Sequence, residues 1–72
     1  MKNLFDLKVG ESGTVKKLLS VGSMRRRLLD IGLINGTTVN CVGESPAGAP
    51  KAFLIRGAVI AIRSEDCKNI LI

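Results

Sequence analysis

Arg25, Arg26 and Arg27 stand in a row and run directly into Leu28, Leu29 and Asp30. Guanidinium groups stay charged at any physiological pH and present a planar fork of donors. They suit carboxylate and phosphate recognition, and they do not exchange protons. The other reactive groups are sparse. Cys41 and Cys67 stand 26 positions apart, and the chain has no histidine. A Ser-His or Cys-His nucleophile pair is therefore excluded. No Gly-x-x-x-x-Gly-Lys-Ser/Thr loop is present to cradle a nucleotide. A structural zinc site takes four Cys or His ligands, and only two are available. Cys41 is expected to act as a small apolar filler on an inward strand face. Glu65, Asp66 and Cys67 crowd one terminal turn, where they could touch a divalent ion only weakly. The chemistry points to recognition without catalysis, and no cofactor is expected.

The arginines need a helix to hold them. Ser23 is a good N-cap residue, and the spacing predicts a helix from Met24 to about Ile31. At about 100° per residue, Met24, Leu28 and Ile31 share one face, and Leu29 lies about 130° away from its centre. Leu29 is then either covered by a loop, with the N-terminal segment the favoured cover, or an exposed apolar contact. Gly32 suits the left-handed position after the helix, with Leu33 folding back as the apolar partner of that cap. On this reading the arginines occupy the first helical turn, where the helix dipole opposes cations. Arg26 can meet Asp30 only in the less favourable order, with the acid second. Local stability does not account for the triplet. Cover of apolar surface by the long side chains, internal pairing and a simple solvated face are the plain alternatives. The functional one is an anchor for an acidic partner, with Leu29 as its apolar companion.

The rest of the chain reads mainly as strand. Thr14 to Leu19, Thr37 to Gly43, Lys51 to Arg56, Ala58 to Arg63 and Asn69 to Ile72 carry the β-formers. In them Val39 and Cys41 share a face, as do Phe53 and Ile55. Asn35-Gly36 and Gly57 mark turns. Asn3 can cap one turn around Leu4-Phe5-Asp6, and Ser64 a second before Cys67. Glu44 to Pro50 is a loop, since Pro46, Pro50 and Gly48 forbid regular pairing there. Five short strands, one short helix and a terminal helical turn predict a mainly β fold, a small closed barrel in one domain over residues 1–72. Closure would hide strand edges.

Eleven Lys and Arg against six Asp and Glu give a net charge of +5. That favours an anionic partner. Nucleic acid is the obvious rival to protein. Tolerant single-strand binding, however, uses aromatic platforms, and this chain has only Phe5 and Phe53. No signal-peptide core or long apolar span is evident. A cytoplasmic protein with reduced thiols is expected, without membrane insertion, as a monomer or weak homo-oligomer.

Four motifs in order carry a family resemblance. They are Leu4-x-x-Leu7-x-x-Gly10-x-x-Gly13, Arg25-x-Arg27-Leu28-Leu29-Asp30-Ile31-Gly32-Leu33-x-x-Gly36-Thr37, Ser45-Pro46-x-Gly48-x-Pro50 and Ile60-Ala61-Ile62-Arg63. Together they resemble FeoA, the small cytosolic protein of bacterial ferrous iron uptake. The resemblance implies an SH3-like β-barrel. It also implies a partner, the FeoB membrane ferrous iron transporter with its cytosolic GTP-binding domain. FeoA-type domains are also similar to the C-terminal module of iron-dependent repressors of the diphtheria toxin repressor type; no DNA-reading domain precedes this one, so a complete repressor is not expected. Asn35 stands where the family often has proline, Ala49 where aspartate is common, and Cys67 where alanine is common. The Ala49 departure further weakens a metal role for the loop. The expected docking residues are Arg25, Arg26, Arg27 and Leu29, with Ser45, Pro46 and Pro50 shaping an adjacent loop. A metal-sensing module and a basic nucleic-acid-binding barrel are the alternatives.

Overall fold

The computed structural model describes residues 2–47 and 49–72. A single 3-10 turn, Leu4–Asp6, opens the chain. Asn3 caps it as expected, and Asp6 reciprocates with a bond from the Asn3 backbone N–H. The strands are β1 (Ser12–Thr14), β2 (Lys17–Leu18), β3 (Thr38–Glu44), β4 (Lys51–Ile55), β5 (Ala58–Ile62) and β6 (Ile70–Leu71). Helix α1 (Gly22–Asp30) joins β2 to β3, and the single turn α2 (Ser64–Cys67) joins β5 to β6. The sheets are β1-β3-β4-β5 and β2-β6, all antiparallel. The mainly β, SH3-like class read from the sequence holds.

Six strands replace five because the first expected strand breaks at Val15. Thr14 pairs with Thr38 of β3, whereas Lys17 pairs with Leu71 of β6. Between them Val15 N donates to Thr37 O and Lys16 N donates to Leu71 O. The chain thus switches sheets while keeping its hydrogen bonds, and Val15 is fully buried at the corner. Leu4, Leu33, Val39, Cys41, Phe53, Ile55, Cys67 and Ile70 complete the closed centre of the core. The expected inward pairs Val39/Cys41 and Phe53/Ile55 are both on this side.

Closure does not hide every edge. Strand β5 pairs with β4 alone and forms one end of its sheet. The β4–β5 connection is the two-residue turn Arg56-Gly57, with φ of 48° and 84°. Two positive φ values are what a type I′ hairpin requires. Gly48 lies outside the described residues.

Candidate functional site

Helix α1 begins two residues before the expected start. Its N-cap is Val21, which has no side chain to bond the helix, and Gly22 enters at φ 64°. Glycine reaches that backbone without penalty, so the chain turns into the helix before Ser23 can cap it. Only Arg25 therefore remains at the end of the first turn, and Arg27 already belongs to the last. The dipole conflict inferred from sequence is largely removed. The helix end follows the expectation closely. Gly32 N donates to Leu29 O and Leu33 N donates to Leu28 O, both at 3.0 Å, with Gly32 at φ 101°. This is a Schellman cap, and its apolar pair Leu28 and Leu33 is buried in the core. A Cβ on Gly32 would lie 2.6 Å from Arg56 Cδ, so the Arg56 side chain crosses the helix terminus there.

The helix buries Leu28 and half-buries Met24 and Ile31. Its two flanks divide the arginine triplet. Arg25, Arg26 and Leu29 line a shallow depression with Gly22 and Asp30. Arg27 lines a second groove with Met24, Leu28 and Ile31 on one side and Ile60 to Arg63 and Asp66 on the other. Arg25 Nη1 donates to Leu18 O at 3.1 Å. The Arg26 and Arg27 side chains make no hydrogen bond or ion pair among the described residues. Leu29 is 38% exposed. The N-terminal segment does not cover it; that segment packs on α2 and on Lys51.

The loop of Ser45, Pro46 and Pro50 closes on itself. Ser45 Oγ donates to Ala49 O at 2.6 Å, and Ser45 N donates to Pro50 O at 3.2 Å. It sits beyond the Glu44–Lys51 pair that ends the β3–β4 ladder. Neither groove beside α1 contains a residue of this loop.

Sequence reasoning missed the role of Lys51. It is buried, and its Nζ donates to Phe5 O at 2.7 Å and Leu7 O at 2.8 Å. The ammonium also lies 4.6 Å from the centre of the Phe5 ring and 3.7 Å from Glu44 Oε2. A lysine is rarely buried without such partners. The signal was available, because alternation from Phe53 and Ile55 puts Lys51 on the same inner face.

Cys67 also lies deeper than expected. It is fully buried, and its Sγ approaches Ile62 O at 3.5 Å. Glu65 and Asp66 turn instead to Arg63 Nε, at 3.4 and 3.3 Å. The three residues do not converge on an ion. Burial pushes the Cys67 thiol from its ordinary 9.0 to about 12, with the Lys51 ammonium pulling the other way. The unfolded thiol ionises near 9.0 and the folded one near 12. Its stabilising contribution is complete below 9.0 and is lost as pH rises across that window. The stability difference between wild type and Cys67→Ala should therefore shrink from pH 9 to 12, by at most about 1.4 kcal/mol per unit. Chemical denaturation at stepped pH checks this, and a constant difference contradicts it. Native Cys67 should also resist alkylation at neutral pH.

The same architecture recurs in solved structures. The FeoA protein of Chlorobium tepidum is 28% identical, with a TM-score of 0.89 over 96% of this chain and 66% of that protein. A FeoA-like protein of Clostridium acetobutylicum is also 28% identical, with a TM-score of 0.86 over 96% of this chain and 80% of that one. FeoA of Stenotrophomonas maltophilia, solved with zinc, shares the fold at 23% identity and a TM-score of 0.86, over 99% of this chain and 88% of its own. It is described as a prokaryotic SH3 domain protein for which a role in activating ferrous iron transport has been put forward. No curated protein matches the chain. The family model for the FeoA domain matches residues 2–72, which takes in the helix, both hairpins and the loop, and the chain belongs to that family.

Proposed function

We propose that this chain is a non-enzymatic cytoplasmic accessory protein of bacterial ferrous iron uptake. It docks on the cytosolic part of a FeoB-type membrane transporter and modulates transport or nucleotide turnover. Family membership supports the process. No helix among the described residues is long and apolar enough to cross a membrane. One observation carries the docking surface: Arg25, Arg26 and exposed Leu29 share one depression on α1. Arginine beside an apolar anchor is the composition of interface hot spots. Arg26, whose side chain has no partner among the described residues, steers and pairs with an acid; Leu29 supplies the apolar contact. Arg27 flanks this surface from the other side of the helix. Ser45, Pro46 and Pro50 form a second contact whose shape is held by the Ser45 bonds.

The test is a calorimetric titration against the transporter's purified cytosolic domain. Arg26→Glu should weaken binding by about tenfold or more, since a like charge replaces an opposite one at the contact. Its melting temperature should stay near that of wild type, because the side chain holds nothing inside the barrel. Affinity should also fall as salt rises. Wild-type affinity in Arg26→Glu overturns the site.

A further inference from the structure

Strand β5 carries a second feature that the helical corner does not use. Its residues Ala58, Val59 and Ala61 are exposed, and Ile60 is half-buried. The two-residue turn at Arg56-Gly57 makes Ile55–Ala58 the closing hydrogen-bonded pair. Bonded pairs then alternate along the ladder, so Phe53–Ile60 and Lys51–Ile62 are bonded pairs too. By the same alternation the N–H and C=O groups of Val59 and Ala61 point away from β4. Neither residue's backbone bonds to any other described residue. Four parallel-lying backbone groups are thus left open on an edge with an apolar surface.

The edge also has a floor and a far wall. Met24, Leu28 and Ile31 of α1 face Ile60, Ala61 and Ile62 across the groove. The charges at its margins are mostly cationic. Arg56 precedes β5 and Arg63, which also holds Glu65, follows it, while the Arg27 side chain stands across the groove with no hydrogen bond or ion pair among the described residues. Asp66 is the one acid in the lining, and it is held on Arg63 at 3.3 Å.

We infer that the β5 edge is a binding site for an extended acidic polypeptide segment, added as a further strand beside Val59 and Ala61. Backbone bonds supply the attraction, and side chains alternating toward the groove supply selectivity. β-branched residues at the centre of the segment suit Ile60, Met24 and Ile31. Acidic residues at its ends suit Arg56 and Arg27, whereas Arg63 is already held by Glu65 and Asp66. A second copy of this chain offers a matching edge, but it would bring the same arginines together. The charge balance therefore favours the acidic segment. This reading stands apart from the transporter proposal, because Leu29 lies outside this groove and Ala61 lies outside the helical corner.

The probe is the end-capped peptide Asp-Val-Thr-Val-Asp, followed by amide hydrogen exchange on the whole chain. Without peptide, the amides of Ala58, Ile60 and Ile62 should be protected and those of Val59 and Ala61 should exchange freely. At millimolar peptide, Val59 and Ala61 should become protected. Two peptides N-methylated on alternate residues separate strand addition from mere charge attraction. Only the one whose methyl groups face β5 should lose affinity, by about tenfold or more for the lost bonds. Ala61→Pro should fold, since an edge proline whose nitrogen faces solvent breaks no ladder bond, and it should not bind the peptide. Three results overturn the inference: no protection at Val59 and Ala61 with peptide, equal binding of both methylated peptides, or protection that rises with protein concentration alone.

Discussion

Replacing Lys51 with methionine should lower stability by about 3 kcal/mol, because one buried and one half-buried carbonyl lose their only side-chain donor. Phe5 O and Leu7 O both receive the Lys51 ammonium. Methionine keeps most of the apolar stem and removes the charge. Two effects compete. Deleting a buried charge removes a desolvation cost, and replacing a whole buried ion pair with apolar groups is often neutral. Here, however, the partners are backbone carbonyls that no substitution removes. The unsatisfied acceptors decide the sign. The ion pair to Glu44, 3.7 Å long with a half-exposed carboxylate, adds little to the total. A domain of this length holds about 4–11 kcal/mol in all, so the loss is a large share of it. The melting temperature should fall by roughly 12–24 °C. Exchange should rise first in the Leu4–Leu7 segment, which Lys51 ties to β4. A melting temperature within a few degrees of wild type would show that water replaces the ammonium at no cost.

Lys51 also marks a limit of reading sequence alone. Its residue type argues for the surface and its strand position argues for the core. The position wins, because the N-terminal turn brings two carbonyls to the same place. The turn itself is local and announced by Asn3, but its docking against Lys51 is a tertiary arrangement that no local pattern announces. The break at Val15 has the same origin. Thr14 to Leu19 has uniform β-propensity, and only the layout of β3 and β6 makes the chain change partners midway. By contrast, the end of α1 is written locally. Gly32 meets a backbone requirement, and Leu33 must fold back on Leu28 wherever the helix goes. The start of α1 was misplaced because Ser23 is a good cap by type, whereas Gly22 supplies an entry with no capping side chain.

The candidate site was legible in composition and only partly in arrangement. Three consecutive arginines at about 100° spacing cannot share one helix face, so the triplet had to divide. Helical spacing puts Arg25 and Arg26, four and three residues before Leu29, on its face; what Arg27 meets depended on where the helix meets β5. The structure sets Arg25 and Arg26 with Leu29, and turns Arg27 toward Ile60 to Arg63. The open edge of β5 was hidden from sequence for a related reason. An apolar run of Ala-Val-Ile-Ala-Ile looks the same in a central strand as in an edge strand, and only the sheet order distinguishes them.

Leu28 and Leu29 are neighbours of one residue type with opposite surroundings, and they should respond oppositely to truncation. Leu28 is 3% exposed and packs in the core beside Leu33, whereas Leu29 is 38% exposed beside Arg26. Leu28→Ala should cost about 2–5 kcal/mol, the usual range for a buried leucine. That is enough to leave a substantial unfolded fraction in a domain this small. Leu29→Ala should change stability by no more than about 0.5 kcal/mol, as surface changes away from caps and networks do. Its backbone carbonyl still accepts from Gly32, so the helix cap survives. Binding to the transporter's cytosolic domain should nonetheless weaken by about tenfold, since an apolar anchor between arginines is lost. Denaturation melts and titrations on the two variants separate the roles in one experiment. If Leu29→Ala instead melts early and binds normally, Leu29 is a packing residue and the helical corner loses its apolar contact.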